Sequence, residues 1–190
     1  MGSRDKTKAR LSAPTVYDAG LFSDDAASMP LQRLLCIARQ SGVGEPSSCA
    51  ATLLLLSAGR AVRHGLQRIM KPLGMSEARF LSLVTLYTLD PVPSCPANLA
   101  YHVEITRTAM TDTLDQMEKH GWVRRERLAT DRRVVRVFLT DDGREIAANA
   151  IRHFLKAASV LAESLKPAQH KVFAEVCLKL RQRAEALPAN

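Results

Sequence analysis

Residues 96–140 constrain the fold of this 190-residue chain more than any other stretch, because their periodicity changes at defined points. Apolar residues recur at helical spacing in two short runs, and the second run contains Met110 and Leu114. Thr106 stands where a helix needs an oxygen to accept its first free amide hydrogens, and Gly121 stands just beyond the last periodic residue. The stretch therefore predicts two helices joined by a tight turn, with the second helix bounded at both ends.

The residues that follow Gly121 alternate with a period of two, which indicates strands. Residues 123–127 form one such run and residues 134–139 form another, with the polar segment 129–133 between them as a hairpin tip. Helix, turn, helix and β-hairpin in this order predict a winged helix. In that fold the second helix can enter a major groove of DNA while the hairpin reaches along the backbone.

Arginine dominates the predicted hairpin, which carries carboxylates only at Glu126 and Asp131. Its arginines are Arg124, Arg125, Arg127, Arg132, Arg133 and Arg136. The whole chain has a net charge of +8 and a pI near 9.7. A cationic hairpin on a basic chain favours an anionic polymer, and double-stranded DNA in particular, as the partner.

These residues resemble the MarR family of bacterial transcription regulators, and the resemblance covers about residues 53–187. The family's recognition segment typically starts Ser-Arg-Ser/Thr and ends near Glu-x-x-Gly-hydrophobic-Val, which residues 106–108 and 118–123 match. The wing typically carries Asp-x-Arg at its tip and is followed by Leu-Thr-x-x-Gly, which residues 131–133 and 139–143 reproduce. The combination is far more specific than a bare helix-turn-helix.

The resemblance implies a mainly α-helical fold with a small β-hairpin wing, in which long N- and C-terminal helices pair two copies of the chain. We expect the helix after the wing to reach about Leu165, which is longer than a winged helix can cover by itself. The expected divisions are a flexible N-terminal tail (1–28), an extra N-terminal helix and linker (29–49), a dimerisation helix (50–75), a winged helix-turn-helix DNA-binding domain (76–140) and C-terminal dimerisation helices (141–190).

Two patterns place helices before the predicted winged helix. Apolar residues at helical spacing predict a long helix over about residues 50–73. Ser76 then caps a second helix. We assign the apolar face of that helix to Phe80, Leu81, Val84 and Tyr87.

The start of the recognition helix supplies the candidate contacts to DNA. They are Thr106, Arg107, Thr108 and Thr111. An arginine there can bind guanine through two hydrogen bonds, and the hydroxyls can bind phosphates. The alternative for Thr106 is that it only caps the helix, and both roles are compatible.

The hairpin adds Arg125, Arg132 and Arg133 to the predicted DNA contacts. Arg132 and Arg133 would reach the minor groove or its phosphates, where a narrow groove concentrates negative potential. The alternative is a solvated turn. Asp131 is predicted to orient Arg133 rather than to touch DNA.

Members of the MarR family often release DNA when a small aromatic acid lodges between the dimer helices and the winged domain. The resemblance therefore implies a homodimeric repressor of a pseudo-palindromic operator with a benzoate-, salicylate- or nicotinate-like effector and no other cofactor. The residues that could bind its carboxylate are Arg60, His64, Tyr87 and Arg144. The alternative is that these are ordinary surface residues.

A thiol-based redox trigger is the competing hypothesis within the family, since some relatives carry a reactive cysteine near the start of the first long helix. Cys49 lies close to that region, and its alternative is an inert thiol. The different-class alternative is a winged helix that contacts only proteins, against which the arginine-rich hairpin argues.

The sequence gives no support for an enzyme, because no nucleophile, base and orienting group can be recognised together, and no histidine or cysteine spacing predicts a metal site. No apolar run approaches the length of a membrane span. We therefore expect a cytoplasmic protein that is not an enzyme.

Overall fold

A computed structural model describes residues 33, 34, 37, 40, 46–128, 131 and 133–188 of the chain. The described chain divides into two units between Arg63 and His64. The predicted flexible tail, residues 1–28, lies outside the described residues, as does most of the predicted extra helix. Of that helix the structure describes Arg33, Leu34, Ile37 and Gln40, which are helical.

The described chain is mainly helical, with one two-stranded antiparallel sheet, as predicted. Its elements are α1 (Pro46–Met70), a 3₁₀ turn (Lys71–Leu73), α2 (Glu77–Leu89), α3 (Pro96–Val103), α4 (Arg107–Lys119), β1 (Val123–Arg127), β2 (Val135–Leu139), α5 (Asp141–Ala162) and α6 (Pro167–Glu185). Among the helices whose residues are described, none is long and apolar enough to cross a membrane.

Several element ends differ from the predicted ones for local reasons. The first long helix ends at Met70 rather than Leu73, because Pro72 has no amide hydrogen to continue the helical hydrogen bonds. The second strand starts at Val135 rather than 134, because the amide of Val134 closes the hairpin turn onto the carbonyl oxygen of Asp131 at 3.0 Å. The helix after the wing ends at Ala162 and not at about Leu165.

The hydrophobic core of the second unit is built around α4. The fully buried side chains at its centre include Leu83, Leu99, Met110, Leu114, Met117 and Val137. The predicted inward face of α4 is therefore confirmed. The predicted face of α2 is partly wrong, because Leu83 and Leu86 join Phe80 in the core while Tyr87 is 42% exposed. Almost every position of α2 near these residues is apolar, so periodicity alone does not select its buried side.

The base of the hairpin is fixed to both neighbouring elements. Val137 of β2 exchanges backbone hydrogen bonds with the buried Ser94 just before α3, at 2.8 and 3.1 Å. On the other side, the hydroxyl of Thr140 donates to the carbonyl oxygen of Gly121 and accepts from the amide of Gly143 at 2.9 Å. These contacts hold the wing against the start of α3 and the start of α5.

The close approach at the start of α5 also explains the glycine of the Leu-Thr-x-x-Gly pattern. A Cβ atom added to Gly143 would lie 1.9 Å from the carbonyl oxygen of Trp122. No side chain fits at that distance, so the pattern reflects contact between the first turn of α5 and the backbone that leads into the wing.

Candidate nucleic-acid interface

The turn before α4 sets the start of the candidate recognition helix. Glu104 adopts a left-handed conformation with φ of 58°, which ends α3 and turns the chain sharply. Thr106 then caps α4, since its hydroxyl oxygen accepts a hydrogen bond from the amide of Ala109 at 3.2 Å. The predicted capping role of Thr106 is confirmed. Together with the turn at Glu104, this cap starts α4 directly after α3, which forms the helix-turn-helix.

The predicted reading residues of α4 lie on its solvent face. Burial of Met110, Leu114 and Met117 on the opposite side leaves Arg107, Thr108 and Thr111 exposed. The hydroxyl of Thr111 donates to the carbonyl oxygen of Arg107 at 3.0 Å and keeps its lone pairs available as acceptors. Asp112, also exposed, places one negative charge on this face.

The hairpin tip is organised by Asp131. Its carboxylate accepts a hydrogen bond from the amide of Arg133 at 3.0 Å, and its backbone carbonyl accepts one from Val134 at the same distance. This arrangement is an Asx turn, and it leaves the side chain of Arg133 exposed. Arg132 lies outside the described residues, so its predicted contact stays a prediction.

Arg125 has a different environment from the exposed arginines of the hairpin. Its guanidinium donates to Oε2 of Glu118 through Nε at 2.9 Å and through Nη2 at 2.5 Å. Nη2 also lies 2.7 Å from the carboxylate of Asp115, and the backbone amide of Arg125 donates to Oε1 of Glu118 at 3.1 Å. The structure therefore directs this arginine at α4, and its predicted DNA contact stays untested.

These contacts favour the charged forms of both Arg125 and Glu118. The hydrogen bond from Arg125 holds the pKa of the Glu118 carboxyl below its ordinary value, and the same bond raises the pKa of Arg125. Both side chains are therefore ionised near neutral pH. Asp115 and Glu118 were not predicted as partners of Arg125, although two carboxylates on a helix ahead of an arginine-rich strand were a usable signal.

Arg124 is a further exposed cation of the wing that the predicted site left out. Its guanidinium carbon lies 4.3 Å from the centre of the Phe138 ring across the hairpin, and it pairs with Glu126. Stacking on an aromatic ring limits the side chain's rotamers. Arg124 thus adds a positioned positive charge to the face of the hairpin on which Arg136 is also exposed.

Three of the four predicted effector residues are exposed, and their role stays a prediction. Arg60 and His64 are exposed on α1, and Tyr87 is exposed on α2. Arg144 instead pairs with Asp90 at 2.7 Å and with Asp141 at 2.5 Å. Its hydrogen bond lowers the pKa of Asp90, so this pair joins the end of α2 to the start of α5.

An open cleft of about 590 Å³ lies elsewhere in the second unit, between the last turns of α1 and the second half of α5. Its lining includes Arg68, Ile69, His153 and Lys156, and none of the four predicted effector residues. Cys49 is a free, half-buried thiol near the start of α1. In the described parts of the chain, no group of three or more histidine, cysteine or acidic side chains is placed to hold a metal ion.

An exposed recognition helix next to an arginine-rich antiparallel hairpin defines the class of winged helix-turn-helix DNA-binding proteins. Residues 75–135 match the family model described as "MarR family". Over these residues the chain is similar to the MarR family of transcriptional regulators.

Individual proteins with sequences or structures similar to this chain are also transcriptional regulators or MarR family proteins. The chain is 25% identical over 120 residues to the transcriptional repressor MprA of Escherichia coli K12, an alignment that covers 63% of this chain and 68% of the relative. The MarR family regulator Sco3205 of Streptomyces coelicolor, solved in complex with DNA, is 28% identical with a TM-score of 0.60 over 71% of this chain and 84% of that one. The MarR family protein Rv2887 of Mycobacterium tuberculosis, solved with p-aminosalicylic acid, is 27% identical with a TM-score of 0.55 over 67% and 95%.

Proposed function

We propose that this protein is a transcriptional repressor that binds a pseudo-palindromic operator as a homodimer and leaves it when a small aromatic acid binds. The observation that carries the DNA-binding part is an exposed recognition helix in a domain that also carries a cationic hairpin. Arg107, Thr108 and Thr111 on the helix and Arg124 and Arg133 on the hairpin are all exposed.

The dimensions of the site suit a major groove. α4 has 13 residues and is therefore about 20 Å long, and its reading residues lie in the first turns, where a recognition helix contacts base edges. The cationic hairpin beside it would contact the phosphates of the same duplex. Arg107 would contribute sequence discrimination, because a guanidinium recognises the acceptor pair of guanine.

Dimerisation is supported by the apolar surface of the C-terminal helices. α6 has no buried residue, yet Val172, Phe173 and Val176 are each about half exposed. Leu155 and Val160 of α5 are also exposed. A second copy of the chain would cover such faces, and a two-fold pair presents two recognition helices to successive grooves of a pseudo-palindrome.

The repressor assignment draws on the name of MprA, and the effector class on the p-aminosalicylic acid bound to the Mycobacterium tuberculosis relative. Arg60, His64 and Tyr87 remain the proposed ligands of the effector's carboxylate, while Arg144 would have to leave Asp90 to join them. Release then requires that the effector prefer a spacing of the winged domains that no longer fits DNA, a coupling of about 1–3 kcal/mol.

A titration of the duplex immediately upstream of the chain's own gene tests the proposal. We expect tight binding that weakens steeply with salt, and weaker binding when salicylate or benzoate is added. A protein-contact module would show no salt-dependent shift of duplex DNA. Absence of such a shift, or a monomer at the concentrations that bind DNA, would overturn the proposed function.

A further inference from the structure

Two carboxylates lie on the helix that is proposed to approach DNA, where phosphates would repel them. Asp115 and Glu118 occupy the second half of α4, and both face Arg125 of β1. Acidic residues on a helix that binds a polyanion weaken binding by charge repulsion unless they pair with a group within the protein. Their partner is an arginine that the sequence pattern groups with the DNA contacts.

Carboxylates of α4 accept hydrogen bonds from both the side chain and the backbone amide of Arg125. Its side chain is 26% exposed, whereas that of its neighbour Arg124 is 51% exposed. Nε, Nη2 and the backbone amide all donate to the two carboxylates, at 2.5 to 3.1 Å. Across the hairpin, Arg125 pairs with Val137, which is fully buried and bonded to Ser94. A guanidinium engaged in this way is directed toward α4 and away from solvent.

We propose that Arg125 is a positioning residue, which fixes the angle between the wing and the recognition helix through Glu118 and Asp115 and does not itself contact DNA. The inference rests on the proposed DNA-binding function. We call Asp115, Glu118 and Arg125 the wing clamp. The chain also joins α4 to β1 through the short turn at residues 120–122, where the amide of Trp122 donates to the carbonyl oxygen of Met117 at 2.9 Å.

The wing clamp couples the two parts of the interface. When the clamp is formed, Arg133 at the hairpin tip and Arg107 on α4 belong to one preorganised surface. Binding DNA then carries no conformational-entropy cost for ordering the hairpin. With the clamp broken, the hairpin samples several angles, so its tip arginine contributes less to binding. The coupling is therefore measurable as non-additivity between Arg125 and Arg133.

The experiment compares full-length variants in anisotropy titrations of the duplex upstream of the gene, over a series of salt concentrations. The variants are Arg125→Gln, Arg125→Lys, Glu118→Gln, Arg133→Ala and Arg125→Gln/Arg133→Ala, with Arg152→Gln, which removes an exposed arginine of α5, as the matched control. Thermal unfolding establishes that each variant is folded at the titration temperature. Glu118→Gln carries the test if Arg125→Gln does not fold, because it breaks the clamp and leaves the arginine in place.

We expect Arg125→Gln to weaken binding by about tenfold with an unchanged slope of log affinity against log salt. Arg125→Lys and Glu118→Gln should weaken binding similarly, since a lysine cannot make the forked contacts and a neutral amide pairs poorly with a guanidinium. Arg133→Ala should cost at least about fivefold in the wild type and less than about twofold beside Arg125→Gln.

A phosphate contact at Arg125 would give the opposite results. The salt slope would fall by about 0.9 in Arg125→Gln, lysine would restore binding, and Glu118→Gln would tighten binding by removing a negative charge. Those results, or an unchanged cost of Arg133→Ala in the double variant, would overturn the positioning role while DNA binding stands. A wild-type protein with no salt-dependent binding would overturn the proposed function itself.

Discussion

Arg107 occupies the first turn of α4, exposed beside the capping Thr106, and no ion pair holds it within the described residues. Its guanidinium is therefore available for a base edge, unlike that of Arg125. The two arginines differ because Arg125 pairs with two carboxylates of α4, whereas Arg107 has no such partner among the described residues. Two arginines of the winged domain are thus assigned separate roles.

Arg107→Ala is expected to cost about 1–3 kcal/mol of operator binding and to reduce discrimination between the operator and a scrambled duplex. Competition titrations at fixed salt measure both effects. Arg152→Ala, which removes an exposed arginine of α5, is the matched control and should leave discrimination unchanged. Equal loss on operator and scrambled DNA would show that Arg107 contacts only phosphate.

Gly143→Ala is expected to destabilise the fold by about 1–3 kcal/mol, since the added methyl group would collide with the carbonyl oxygen of Trp122. Urea unfolding measures the change. Gly65→Ala is the matched control, because no atom lies within 4 Å of the position its Cβ would take. Alanine there should stabilise α1 by about 0.5–1 kcal/mol. Similar effects of the two substitutions would contradict the close approach.

At the scale of elements, ion pairs join neighbouring parts of the winged domain. Glu118 and Arg125 connect α4 to β1, and Asp90 and Arg144 connect the end of α2 to α5. These bonds complement the buried core, to which the hairpin contributes Val123, Val137 and Leu139. The ion pairs add charged groups that titrate in acid to the contacts that hold the winged domain.

The wing clamp predicts a defined pH dependence of stability. The pKa of Glu118 is lowered in the folded state from its ordinary 4.5, so its stabilisation is complete above that value. It is lost as pH falls through the lower folded-state pKa. Urea unfolding of wild type and Glu118→Gln should therefore show a difference at about pH 6 that shrinks toward about pH 3. A difference that is constant with pH would contradict the clamp's ionised state.

At the scale of the whole molecule, α5 and α6 expose apolar side chains such as Leu155, Val160 and Phe173 that the described chain leaves uncovered. The winged domain has its own buried core, whereas α6 contributes no buried residue. Spacing two winged domains on DNA needs such helices to pair. The proposed repressor therefore depends on an interface that one chain cannot form alone.

Phe173→Lys is expected to shift the protein toward monomer and to weaken operator binding by at least about tenfold, because a charge would be placed in the proposed dimer interface. Sedimentation velocity and the duplex titration measure the two effects together. Gln182→Lys adds the same charge at another exposed position of α6 and is the control. Unchanged sedimentation of Phe173→Lys would exclude this face as the interface.

The sequence by itself determined the helix-turn-helix, the hairpin and their caps. Thr106 and Gly121 act within a few residues of their own positions, so spacing along the chain was sufficient to predict them. Alternating residues likewise predicted the two strands. The resemblance to the MarR family rested on the same local patterns. The matching family model covers residues 75–135, where most of these patterns lie.

Only the tertiary structure decided which side of α2 faces the core and which carboxylates each arginine meets. Arg125 meets a residue seven positions away, and Arg144 meets one fifty-four positions away. No periodicity encodes such pairs, because they depend on how finished elements pack. The physical reason is that backbone hydrogen bonds and caps are chosen locally, whereas burial and ion pairing are chosen by neighbours brought together through the fold.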